Sequence, residues 1–255
     1  LDIALHDLLA KEYNAPLNRL LGTSKIAMDT DITIGIMDEQ DAINLAREYI
    51  KEGFKSIKIK VGTNLKKDIE RVKNIRSAVG DKIELRVDAN QGYNYNEARD
   101  FIDETKKLDI EFLEQPMPYY MLEKMAELRK YSQIPIMLDE SLKDIRDLYE
   151  IINKKAADMI NIKLMKTSGI TDALSIADLA KSYDLKIMVG CMAETSLGIA
   201  ASMHFALAID ADYIDLDSHF NLQYDIAKNP IKNLKGKNYI NNDFGLGINL
   251  KDDYI

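Results

Sequence analysis

Eight short apolar, β-branched runs alternate along this chain with seven longer amphipathic stretches. The first run is DITIGI (31–36). DEQDAINLAREYIKEG (38–53) follows, with Ala42, Leu45, Ala46 and Ile50 on one helical stripe and Gly53 as a stop. The later runs are SIKIKVG (56–62), KIELRVDAN (82–90), IEFLEQP (110–116), IPIMLDES (134–141), DMINIKLM (158–165), LKIMVGC (185–191) and YIDLDSHF (213–220). Strict alternation of this kind makes a parallel sheet, because each return to the same direction needs a helical crossover. Eight such units close most economically into a TIM-like (β/α)7β barrel of the α/β class, and 255 residues suffice for one. A doubly wound open sheet is the rival. It would place a Gly-rich phosphate turn after the first strand, and DITIGIMDEQD has none. The polar stretch after Phe220 reads as an irregular tail.

In a parallel barrel the reactive end is the C-terminal end of the strands. Those ends carry Lys60, Asp88, Glu114, Asp139, Lys163, Cys191 and Asp215, spaced 24 to 28 residues apart. Each follows an apolar run, where an unpaired charge is costly. Side chains alternate along a strand, so Lys58 shares a face with Lys60, Arg86 with Asp88 and Asn90, Asn161 with Lys163, and Asp215 with Asp217 and His219.

Asp88, Glu114 and Asp139 come from three consecutive strands. Three mutually repelling carboxylates call for a cation, and hard oxygen donors suit Mg2+. Zinc fits less well: His6, His204 and His219 lie on different units, and none pairs with Cys191 at ligand spacing. The lysines flank the carboxylates in chain order, which in a closed barrel puts Lys60 and Lys163 on opposite sides of a bound substrate. Two such groups can pass a proton across one carbon if one is neutral while the other is charged. Lys58, beside Lys60 and near a divalent ion, is expected to favour the neutral form of Lys60.

Composition narrows the partners. Acidic residues outnumber basic ones by 42 to 34, for a net charge of −8, and no basic stripe is present, so nucleic acid is not expected. The single cysteine allows no intrachain disulfide, which points to a reducing, cytoplasmic setting. No apolar run approaches the roughly 18 residues of a membrane span. LDIALHDLLAKEY at the start is an amphipathic helix pattern without the basic start and apolar centre of a signal peptide. It also lacks an initiator Met, so a piece of a longer protein is expected.

Taken together, KIKVG, LRVDANQGY, EFLEQP, IMLDES, INIKLMKTSG and the GCMAET turn resemble the enolase superfamily, in order and over nearly the whole chain. The muconate-lactonising-like subgroup fits best, and within it the dipeptide epimerases of the L-Ala-D/L-Glu type. IDLDSH is the discriminating stretch, since those epimerases are similar in carrying an Asp-x-Asp that holds the dipeptide's ammonium group, here Asp215 and Asp217.

The resemblance implies one Mg2+ per subunit on Asp88, Glu114 and Asp139. It makes Lys60 and Lys163 the acid/base pair, with Lys60 acting on the L centre and Lys163 on the D centre. Thr33, Lys58, Cys191 and Ala193 would contact substrate. Superfamily sites use a Lys or His base, with Mg2+ stabilising the enediolate. A dipeptide is the expected small-molecule partner, and a homo-oligomer the expected assembly.

KTSG departs from the subgroup's KTGG by Ser168, a change a loop should tolerate. The family's N-terminal α+β capping domain is expected to be absent apart from its last helix. This divides the chain into 1–22 (that terminal helix), 23–220 (the barrel) and 221–255 (a C-terminal segment packing back on the capping region). Cycloisomerisation, o-succinylbenzoate synthesis and N-succinyl amino acid racemisation use the same lysines and metal, but their substrates offer an Asp pair no ammonium group. A Schiff-base aldolase barrel would need no metal. A non-catalytic barrel is disfavoured by five intact core positions.

Overall fold

Side chains that cap helices set where the loops of this chain begin and end. The computed structural model describes residues 1–254. In chain order the elements are α1 (Asp2–Glu12), α2 (Leu17–Leu20), β1 (Ala27–Asp29), β2 (Ile32–Ile34), α3 (Glu39–Glu52), β3 (Ser56–Lys60), α4 (Leu65–Val79), β4 (Glu84–Asp88), α5 (Tyr95–Thr105), β5 (Ile110–Glu114), α6 (Leu122–Tyr131), β6 (Ile136–Leu138) and α7 (Ile145–Lys154). There follow β7 (Met159–Ile162), α8 (Ile170–Ser182), β8 (Lys186–Gly190), α9 (Ser196–Ala208), β9 (Tyr213–Asp215), β10 (Lys232–Leu234) and β11 (Lys237–Tyr239). The parallel strands neighbour one another in chain order, β2 through β9. A doubly wound sheet would reverse its strand order partway, so this succession is that of the (β/α)7β barrel. Among the described residues no helix is long and apolar enough to cross a membrane.

The chain divides into two compact units. One holds Asp31–Asn161 and Tyr183–Lys186. Its helices start where polar caps allow: the Asn64 side chain accepts from Lys67 N at α4, and capping boxes of Asn94 with Glu97 and Asp144 with Asp147 open α5 and α7. Gly53, in the left-handed conformation at φ +99°, closes α3. Ile57, Ile59, Leu85, Val87 and Leu113 of the strands are fully buried, as are Ala42, Ala46, Val72, Ile75 and Phe101 of the helices.

The other unit comprises Leu1–Thr30, Ile162–Ser182 and the chain from Ile187 onward. Here α9 is apolar on every side and buried along most of its length. Asp2 of α1 accepts the Ile170 N–H at 2.6 Å, so it caps α8 from a distance of 168 residues in sequence. A small antiparallel sheet, β1–β11–β10, was not expected from the sequence. Its hairpin turns at Lys235 and Gly236, both with positive φ (+55° and +76°), which is the two-residue turn that suits strand twist. With three residues per strand, the segment shows no readable alternation.

His204 of α9 is fully buried and hydrogen-bonded at both ring nitrogens. Its Nδ1 accepts from Asn18 N at 2.9 Å, which leaves Nε2–H to donate to Leu246 O at 3.3 Å. Burial depresses its pKa to about 4, against smaller opposing effects of Leu246 O and Asp7. Burial likewise takes His219 to about 4, against the pull of Asp225. Both rings therefore stay neutral in the folded state at pH values where the unfolded chain takes up protons. Stability is full above about pH 6.5 and falls as the pH drops toward 4, by about 3 kcal/mol for His204. Urea midpoints at pH 7.5 and pH 4.5 should show this loss in the wild type and a smaller one in His204→Gln. Equal losses in the two proteins would rule out His204 as the cause.

Candidate active site

In the first unit, strand register sets the site. Thr33 lies opposite Lys58, Lys58 opposite Arg86, and Arg86 opposite Phe112. One step further along, Lys60 lies opposite Asp88, Asp88 opposite Glu114, and Glu114 opposite Met137. Lysine and carboxylates are thus brought to one face at the strand ends. Asp88 and Glu114 are fully buried and Asp139 is 2% exposed.

Burying that much negative charge requires compensation nearby. Lys58, 1% exposed, supplies part of it: its Nζ lies 3.2 Å from Asp88 Oδ2 and 2.9 Å from Glu114 Oε2. Lys60 is more open and donates to Asp88 Oδ2 at 2.6 Å and to Asn90 Oδ1 at 2.9 Å. The sequence pointed Lys58 toward Lys60 and substrate; the structure adds that its ammonium spans two of the carboxylates.

As they stand, no three acidic, histidine or cysteine side chains among the described residues are gathered tightly enough to hold a metal ion. The donor set still suits a divalent cation. Three buried carboxylates end three adjacent strands, and cationic groups already stand against two of them.

The loops behind these residues are tied together by the buried Asp68. Asp68 Oδ2 accepts from the backbone N–H groups of Gly62, Thr63 and Asn64 and from the Tyr93 hydroxyl, while Arg71 pairs with Asp68 and donates to Lys60 O. A Cβ on Gly92 would lie 2.1 Å from Gly62 O, so the turns after Lys60 and Asp88 meet backbone to backbone.

Two residues support the carboxylates in ways their sequence positions did not specify. Asn161 Nδ2 donates to Glu114 Oε1 at 2.8 Å; its place two residues before Lys163 was the available signal. Gln115 is fully buried, with φ +36°. Its Oε1 accepts from Asp139 N at 2.9 Å and Ser141 N at 3.2 Å, and its Nε2 donates to Ser141 Oγ and Met117 O. Gln115 thereby sets the chain path at Asp139; it stands in the EFLEQP motif, but its position there does not show this role.

In the second unit, Lys163 is 7% exposed, and Asp215 and Asp217 are 4% and 5% exposed. The residue between the two aspartates is pinned at both backbone groups: Leu216 N donates to Thr30 Oγ1, and Leu216 O accepts from Asn238 Nδ2. Cys191 stands near the pair. Burial first, then the charges of Asp215 and Asp217, push its thiol up to about 12, so it is no thiolate nucleophile. Ser218 Oγ accepts from Glu194 N and donates to Glu194 O, tying the exposed Ala193 turn to the end of β9. Burial raises the Glu194 carboxyl, while its Met192 backbone bond and the Lys163 charge pull it down. Ser168 adopts φ +63°, a left-handed conformation that costs a non-Gly residue roughly 1 kcal/mol, which accounts for the Gly expected there.

Comparison with known proteins identifies the family. Over 219 residues the chain is 41% identical to an L-amino acid-D/L-Glu epimerase of Francisella philomiragia, covering 85% of this chain and 62% of that protein. The chain therefore spans about three fifths of the length of that curated relative. The substrate-liganded L-Ala-D/L-Glu epimerase of Bacillus subtilis superposes with a TM-score of 0.93 at 36% identity, covering 96% of this chain and 69% of that one. A dipeptide epimerase of Cytophaga hutchinsonii, complexed with Mg and D-Ala-L-Val, gives 0.95 at 34% identity, covering 99% and 69%. The model of the enolase C-terminal domain-like family matches residues 41–254. With the barrel succession and the strand-end lysines and carboxylates, these matches place the chain in the enolase C-terminal domain-like family.

Proposed function

We propose that this chain carries the catalytic machinery of a Mg2+-dependent epimerase. It inverts the α-carbon of the C-terminal residue of a dipeptide, L-Ala-L-Glu or one similar, by two-base 1,1-proton transfer. The observation that carries the reading is the packing of Lys58 and Lys60, from one strand face, against the buried carboxylates of the next two strands. Asp88, Glu114 and Asp139 would hold one Mg2+ per subunit, which supplies stabilisation of the charge that develops on the substrate carboxylate when the α-proton leaves.

This chain's own residues do the rest. Lys60 takes or returns the proton on the L face and Lys163 on the D face. Asp215 and Asp217, two buried carboxylates beside a protonated thiol, hold the dipeptide's ammonium group. Thr33, Lys58, Cys191 and Ala193 contact substrate. A homo-oligomer working in the cytoplasm completes the reading.

The test is incubation in D2O with Mg2+ and a dipeptide library that includes L-Ala-L-Glu. Deuterium and inversion should both appear at the C-terminal residue's α-carbon. Absence of exchange with every dipeptide would overturn the assignment. Activity that survives EDTA, with borohydride trapping of substrate on Lys60 or Lys163, would point to the Schiff-base alternative.

A further inference from the structure

Glu140 follows Asp139 at the end of β6, and the site described so far gives it no role. It is half-buried, and its Oε2 is buried and accepts no hydrogen bond among the described residues. The other carboxylate oxygen, Oε1, accepts from the Asn90 side chain Nδ2 at 3.3 Å. Asp139 and Asp88 are close enough to raise its pKa further, after burial. A third acidic group beside two carboxylates carries a cost that calls for a reason.

The reason lies in Asn90. Its backbone N–H donates to Asp88 Oδ1 at 2.9 Å, and its φ is +41°, so the base of the side chain is fixed. An amide has two chemically different ends. Here the NH2 end meets Glu140, and the oxygen end accepts from Lys60 Nζ at 2.9 Å. The flipped amide would set oxygen against a carboxylate and NH2 against an ammonium, two repulsions at once. Glu140 therefore decides which end of Asn90 faces Lys60.

We propose that Glu140 and Asn90 form a positioning relay that aims the Lys60 amine at the substrate α-carbon. The inference rests on the epimerase reading, in which Lys60 serves the L face. A neutral lysine amine has two N–H donors and one lone pair. Donating to Asn90 Oδ1 fixes the rotation of the amine and so the direction of the lone pair that takes the proton. Asn90 is a neutral acceptor and does not compete for that proton. Asp88 is assigned to the metal, which leaves Asn90 as the partner that orients Lys60. Neither Glu140 nor Asn90 is a catalytic residue here; Glu140 acts through Asn90, and Asn90 through Lys60.

The test follows deuterium wash-in in D2O with Mg2+ from the L isomer and, separately, from the D isomer. The variants are Glu140→Leu, Glu140→Gln, Asn90→Ala and the double variant Asn90→Ala with Glu140→Leu. Glu140→Leu should slow wash-in from the L isomer about tenfold with KM within about twofold, and should spare initial exchange of the D isomer. Glu140→Gln, which keeps an acceptor oxygen, should restore most of the rate. The double variant should be no slower than Asn90→Ala alone, because the two residues act in series. Multiplicative losses, equal losses for both isomers, or a Gln variant as slow as the Leu variant would overturn the relay. If the wild type exchanges no dipeptide, the functional reading fails by itself, and the crystal structure of Glu140→Leu decides the relay. Lys60 Nζ remaining within about 3.2 Å of Asn90 Oδ1 would then overturn it, and loss of that contact would support it.

Discussion

The Lys163→Ala variant should lose epimerisation by at least about 10³-fold and still exchange the α-proton of the L isomer. Removing a positioned general acid/base costs roughly 10²–10⁴-fold on its own. Inversion needs a second group on the opposite face, so no water placed at random restores it. Lys60 has its own support, in Asn90 at 2.9 Å and the Arg71 bond to its carbonyl, both independent of residue 163. It can take the L proton, trade it for solvent deuterium on the ammonium, and return it to the same face. The signature is deuterium incorporation without change in optical rotation. Lys60→Ala should give the mirror result, with exchange confined to the D isomer. Retention of more than a tenth of the wild-type inversion rate in Lys163→Ala would defeat two-base chemistry, as would exchange of both isomers by either single variant. An unchanged near-ultraviolet circular dichroism spectrum would separate loss of a base from loss of fold.

The parts of this site legible in the sequence are those that repeat with the architecture. Lys60, Asp88, Glu114, Asp139 and Lys163 each end an apolar run, and they recur at the spacing of one β/α unit, which can be read without knowledge of any contact. The strands lie where the runs put them: SIKIKVG holds Ser56–Lys60, and LKIMVGC holds Lys186–Gly190. What stays hidden is set by tertiary contacts between residues far apart in sequence. Gln115 organises Asp139 and Ser141 through its amide, and a Gln before a Pro carries no trace of that. Glu140 touches Asn90 from 50 residues away. The β10–β11 hairpin consists of two three-residue strands, too short for a period of two to register, although Lys235-Gly236 is a legible turn once φ is known. Ser168 shows the reverse case. As a departure from a Gly it marks the place where the backbone turns left-handed.

Arg86 shares the lysine face, and replacing it should strongly destabilise the fold. Its guanidinium is buried. It donates from Nη1 to Asp31 Oδ2 at 2.9 Å and from Nε to Glu111 Oε2 at 2.7 Å, and it lies 5.5 Å from the centre of the Phe112 ring. Burial alone would lower its pKa, but Asp31 and then Glu111 more than offset that, and the group is held charged more firmly than in water. Asp31 is fully buried, while Glu111 is partly exposed. Arg86→Met keeps much of the volume and removes the charge, which leaves Asp31 without the guanidinium that now balances it. Breaking a buried pair from one side costs about 3–5 kcal/mol, a large share of the 5–15 kcal/mol that holds a typical domain folded. Taking away Asp31 as well should be milder, because the penalty comes from keeping that carboxylate buried after its guanidinium is gone. The expected order of urea midpoints is wild type, then Arg86→Met with Asp31→Leu, then Arg86→Met alone. A single variant within about 1 kcal/mol of wild type, or a double variant less stable than the single one, would mean that Arg86 contributes through packing on Phe112 rather than through its ion pairs.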